Sequence, residues 1–240
     1  IAHGIHEMYP TRAFVASINA SNTTDGMSSF QSLNIGQGYT IDFTNPVGLE
    51  FGSYFGTVLV SSGFFGNPGG TISRTVEAGE YFPGTGTWAS KANAVMASPL
   101  KVAIKAKLNY YESPNHGFYL HTEVEKIDAS VTNDLAMMVY MIEDTLVGPQ
   151  NVDNTFTPDY VHRDVFRGTV DNQVWGRTLT NELIENGKYY LNYSGVIPDQ
   201  LRPVGEIPTV HNAENMHLLI YVYDKVTLEI YQVIKKKFIP

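Results

Sequence analysis

The chain has 240 residues, more than the ~100–200 typical of a single domain, so two domains are favoured over one. Hydrophobic residues at 43% and charged residues at 17% exclude a disordered chain and leave enough apolar surface to bury a core. The net charge of -8 argues against a nucleic-acid partner, and the absence of cysteine excludes disulfides, thiolate metal sites and a cysteine nucleophile within these residues.

Residues 1–9 carry Ile1, Ile5 and Met8 at helical spacing, and Pro10 ends the helix because its ring cannot continue one. This helix lacks an N-cap and opens on Ile1 rather than Met, which predicts that an upstream piece has been removed. Residues 13–20 read as a buried strand. Ser, Asn, Thr and Gly then dominate to residue 41, giving a long polar loop that is a natural recognition surface. Thr44 or Asn45 caps a helix with Pro46 in its first turn and Val47, Leu49, Phe51, Tyr54 and Phe55 on its apolar face. Residues 57–61 and 71–76 read as extended segments on either side of a glycine-rich bend, and a third helix spans 88–97.

Beyond Pro99 the period changes to two. Val102, Ile104, Ala106, Leu108 and Tyr110 share one face, and Lys101, Lys105, Lys107 and Asn109 share the other. Residues 118–125 alternate in the same way, and Ser113-Pro114-Asn115-His116-Gly117 between them reads as a hairpin turn. Further strands are predicted at 135–141, 160–170, 188–196, 216–223 and 226–233, the last two joined only by Asp224-Lys225. Strands without intervening helices point to a sandwich, with the domain boundary near Pro99. No apolar run approaches the ~20 residues that span a bilayer, and Lys235-Lys236-Lys237 reads as a solvated face.

Three constellations carry possible chemistry. His3, His6 and Glu7 share one helical face, but no third zinc ligand stands near them in sequence, so no metal is predicted. In a continuous strand, His162 and Asp164 would share a face with Arg163 opposite, forming with Arg167 a polar network or a binding site. Gly36-Gln37-Gly38 and Gly84-Thr85-Gly86 stand in loops rather than between a strand and a helix, so neither makes a phosphate cradle. No hydrolase elbow or dinucleotide fingerprint occurs, and no cofactor is predicted.

The segments Ile41-Asp42-Phe43-Thr44-Asn45-Pro46, Asn67-Pro68-Gly69-Gly70-Thr71-Ile72-Ser73-Arg74 and Tyr160-Val161-His162-Arg163-Asp164-Val165-Phe166-Arg167-Gly168 resemble the outer-membrane-protein-28-related family of bacterial surface lipoproteins. Trp175-Gly176 and the final hairpin match as well. The resemblance implies an α+β chain of two domains. Residues 1–98 would be thioredoxin-like, lacking the first strand and redox turn, and residues 99–240 an immunoglobulin-like antiparallel β-sandwich. It places Pro68 where thioredoxins hold a cis-proline, ahead of a strand ending in Arg74. The family's Cys-x-x-Cys turn is absent. The expected function is therefore a non-catalytic, adhesin- or receptor-like protein of the bacterial outer membrane, cell surface or exterior. Its partner would be a protein or glycan, any lipid anchor would lie outside these residues, and the candidate binding residues are Pro68, Arg74, His162, Arg163, Asp164 and Arg167. The alternatives are a thiol-disulfide oxidoreductase whose cysteines lie upstream of Ile1, or a structural subunit of a surface assembly.

Overall fold

The computed structural model describes residues 2–20, 34–58, 69–76, 79, 81–198 and 212–239. Among these, strands dominate and helices are few, giving an α+β chain. The helices are α1 (Ala2–Met8), α2 (Pro46–Ser53) and α3 (Trp88–Ala97). The strands are β1 (Val102–Tyr111), β2 (Gly117–Lys126), β3 (Leu135–Glu143), β4 (Leu146–Val152), β5 (Thr155–His162), β6 (Val165–Thr169), β7 (Arg177–Thr178), β8 (Ile184–Glu185), β9 (Lys188–Val196), β10 (Met216–Asp224) and β11 (Ile230–Lys237).

Two antiparallel sheets share a core. The first has the order β1-β2-β9-β8; the second has β11-β10-β3-β6, with β7 also paired to β3. The predicted hairpin joins β1 to β2 in the register Val102↔Lys126 to Tyr111↔Gly117. Alternation decides which face turns inward: Val102, Ile104, Phe118, Leu120 and Val124 meet Leu135, Met137, Val139, Leu218, Ile220 and Val222 of the opposite sheet. Fully burying such side chains contributes ~1.5–3 kcal/mol each before entropy is counted.

The second sheet is covered on both faces. Every residue of β10 is buried, and Ala136, Met138, Tyr140, Leu219, Tyr221 and Tyr223 point away from the sandwich core into a second cluster with Val47 and Phe51 of α2. Phe14, Ala16, Ile18 and Trp175 pack against that cluster. Strands buried on both faces lose their alternation, as β3 and β10 do. Gly176 lets the chain approach closely here: its φ is +65°, and a Cβ would stand 2.2 Å from the Met137 carbonyl oxygen.

The N-terminal segment departs from its expected form. Among its described residues no sheet forms. Residues 13–20 contribute one parallel bridge, Ser17 to Val165, and 57–58 continue a π-helical turn after α2. Residues 71–76 are a turn rather than a strand, with Ser73 and Arg74 at φ 50° and 53°. The described part therefore lacks the strands of the separate thioredoxin-like sheet that the resemblance implies. Its apolar side chains are spent on covering the sandwich. Residues 59–61 and Pro68 lie outside the described residues. Helix α2 matches its expectation: Asn45 caps it, accepting from Gly48 N at 2.9 Å, and the same side chain donates to Phe166 O at 3.1 Å.

Two strand readings are corrected. The predicted strand 160–170 is broken at Arg163-Asp164, where Asp164 has φ 49°, into the end of β5 and the whole of β6. The last hairpin is wider than Asp224-Lys225. Asp224 Oδ1 accepts from Val226 N and Thr227 N at 2.8 and 2.9 Å, the turn runs to Glu229, and Leu228 enters the second cluster. Strand β4, in a segment for which no element was predicted, pairs with β5 through a bulge between Gly148 and Gln150. The lysine triplet forms the end of β11, where Lys235 and Lys236 are half-buried and only Lys237 is exposed. Among the described residues no helix is long and apolar enough to cross a membrane.

Candidate functional site

The predicted site residues separate into three places. Arg74 is one of them, buried to 6% exposure on the outer side of the second sheet. Its left-handed backbone turns the guanidinium into the tyrosine face of β3 and β10. There Nη2 donates to Tyr221 Oη at 2.8 Å and Tyr140 Oη at 3.1 Å, and Tyr221 donates to Tyr140 at 2.7 Å. The rings of Phe55, Tyr221, Tyr223 and Phe51 surround it at 5.2–5.7 Å. Burial works against the cation, yet Tyr221, Tyr140 and Tyr223 together hold its pKa above the ordinary value. Burial raises the pKa values of both Tyr140 and Tyr221, against the pull of Arg74. This is a cationic pin joining the N-terminal segment to the sheet.

His162 stands apart from Arg74 and is also buried. It packs against Phe43 at 4.2 Å with the rings tilted by 33° and meets Tyr160 edge-on at 4.9 Å; burial lowers its pKa, against carbonyl contacts from Pro149 and Gly148. Because the strand breaks after it, His162 and Asp164 do not share a strand face.

The third place gathers Arg163, Asp164 and Arg167 at one end of the second sheet. Arg163 pairs with Asp144 at 3.6 Å on the surface, and Arg167 forms a buried ion pair with Glu143. Asp164 receives His3 from α1 at 3.5 Å and lies 3.9 Å from His217 of β10. Burial, then Asp144, raise the Asp164 pKa, offset by Lys235, His3 and His6. Burial pushes His217 down to about 3, helped by Lys235, Lys237 and His6. Of the predicted helical face, His3 thus reaches Asp164, while His6 bonds the Ala13 carbonyl oxygen. Among the described residues no three His, Asp or Glu side chains are grouped to hold a metal ion. The cluster docks α1 and the strand ends on one another, and every charge in it is engaged by a neighbour.

A separate open surface is the outer face of the first sheet. Two shallow depressions, of 570 and 540 Å³, follow one another along its strands. The registers define the rows: Tyr111 opposite Gly117 and Val196, Asn109 opposite Tyr119 and Ser194, Lys107 opposite His121 and Asn192, and Lys105 opposite Glu123 and Tyr190. Tyr119 is 55% exposed and Tyr111 53%, their rings perpendicular at 6.2 Å. In the middle His121 Nδ1 bonds Asn192 Oδ1 at 2.8 Å. At the far end Glu123 binds Lys188 at 2.6 Å and Lys105 at 3.5 Å. The alternation of β1 and β2 already placed Lys105, Lys107, Tyr119 and His121 outward; β9 as their neighbour was not legible in sequence. The loop residues 21–33 lie outside the described residues.

No family model matches the chain. No curated protein matches it in sequence. Among solved structures the fold is similar to HBP35 of Porphyromonas gingivalis, with a TM-score of 0.57 at 14% identity over 85% of this chain. This chain spans 60% of that protein, and at such identity the likeness is one of fold. A domain of the outer membrane lipoprotein Omp28 from Porphyromonas gingivalis shares 23% identity over 57% of this chain and 87% of that one, but superposes only to a TM-score of 0.36.

Proposed function

We propose that this chain is a non-catalytic binding module displayed at a bacterial surface. Residues 99–240 carry the ligand, and residues 1–98 back the sandwich. The observation that carries the reading is the contrast between the buried candidate residues and the outer face of the first sheet. Arg74 and Arg167 are held in structural contacts and His162 is buried, whereas that face carries two depressions, one lined by uncharged aromatic and polar groups and one by Lys105, Lys107, Glu123 and Glu185. Sites on rigid strands hold their geometry well, and Tyr, Ser, Asn and Gly supply contact area and hydrogen bonding at low entropic cost. Display at the surface is supported by the resemblance of residues 41–46, 67–74 and 160–168 to a family of surface lipoproteins. Thiol exchange has no reagent in these 240 residues, which contain no cysteine.

The test is adherence of beads coated with the purified chain to epithelial cells and to extracellular matrix. Saturable adherence that falls with Tyr119→Ala combined with Tyr190→Ala, but not with Arg163→Ala, supports the reading. Adherence that ignores the sheet-face pair sinks it.

A further inference from the structure

We infer that the depression at the turn end of the first sheet is a binding site for an uncharged saccharide. This deepens the binding reading above and rests on it. The first argument is charge. In a chain with 24 acidic and 16 basic residues, the ten residues lining this depression include no Asp, Glu, Lys, Arg or His, whereas its neighbour along the strands is lined by Lys105, Lys107, His121, Glu123 and Glu185. An ionic ligand would find no partner in the first depression.

The second argument is the kind of groups present. Ser113, Asn115, Ser194 and the two tyrosine hydroxyls both donate and accept hydrogen bonds, matching a ligand whose hydroxyls do the same. The third is shape. Gly117 presents no side chain on the outward face between Tyr111 and Val196, so the floor is backbone. Tyr111 and Tyr119 line it, both about half exposed, with their rings edge-to-face at 6.2 Å. An electron-rich ring face suits the C–H face of a sugar ring. The depression is shallow, with about 570 Å³ of open space, so a bound saccharide would lie along the strand ends with one face against the protein.

The experiment is titration calorimetry of the 240-residue chain against neutral hexasaccharides of glucose, mannose, galactose and N-acetylglucosamine, with hexagalacturonate as the charged control. We expect at least one neutral hexasaccharide to bind and hexagalacturonate not to compete with it. Tyr119→Ala should weaken binding roughly threefold to tenfold through loss of stacking, while Tyr119→Phe, which keeps the ring, should lose less. Tyr119 is 55% exposed, so both variants should keep the wild-type melting temperature. Silence with every neutral hexasaccharide, binding of hexagalacturonate alone, or an unchanged affinity in Tyr119→Ala overturns the saccharide assignment. If the calorimeter is silent while the Tyr119 and Tyr190 pair still lowers bead adherence, only the ligand class is wrong and a protein partner takes its place. If neither assay responds to these substitutions, the binding face itself is wrong.

Discussion

Acidification should destabilise this fold through His217 in particular. The imidazole is 4% exposed on β10, faces Lys235 and Lys237 of β11, Asp164 before β6 and His6 of α1, and has its pKa lowered from 6.5 to about 3. A base with a depressed folded pKa contributes stability that is fully present above the unfolded value and is lost as pH falls below it, levelling off near the folded value. Between about pH 7.5 and about pH 5 the unfolded state takes up the proton and the folded state does not, a loss of about 2 kcal/mol from this one group. His162, lowered by burial, adds a loss of the same sign. Asp164 opposes both, because an acid with a raised folded pKa gains stability as pH falls. Urea unfolding at each pH, compared between wild type and His217→Gln, isolates the first contribution, since His162 is common to both proteins. An Asp164→Asn background removes coupling to the neighbouring carboxylate. If the wild-type and His217→Gln slopes agree within about 0.5 kcal/mol over this range, the assignment to His217 is refuted.

Two further outcomes are expected. Arg167→Met leaves Glu143 buried without its cation and should cost about 3–5 kcal/mol, while adding Glu143→Leu should recover much of the loss; a double-mutant cycle by urea unfolding checks this, and additive losses would contradict it. Arg74→Ala empties a packed aromatic cage and should cost about 2–4 kcal/mol, whereas Arg74→Met fills the space and leaves Tyr221 and Tyr140 bonded to each other, so it should cost less. Thermal unfolding ranks the two variants, and a greater loss in the methionine variant would show that the charge itself holds the segment.

Much of this molecule was determined by local chemistry in the chain. Asn45 followed by Pro46 carries a local helix-start signal, a side-chain cap with proline in the first turn, and the alternation of 102–110 and 118–125 around a Pro-Asn-His-Gly turn makes a hairpin with one wet face. The absence of cysteine leaves no thiol chemistry within these 240 residues. Tertiary structure decided the rest, because the deciding partners are far apart in sequence. Arg74 reads as the end of a strand until Tyr140 and Tyr221, 66 and 147 residues further on, supply the cage that draws it inward. Residues 160–170 read as one strand until packing of the strand ends against α1 and Asp144 turns Asp164 to positive φ. The proposed saccharide groove likewise takes Tyr111, Tyr119 and Ser194 from three strands, and only the pairing of β2 with β9 places them side by side. Turn, cap and alternation rules act over a few residues, while the burial of one strand against another is set by the whole chain at once.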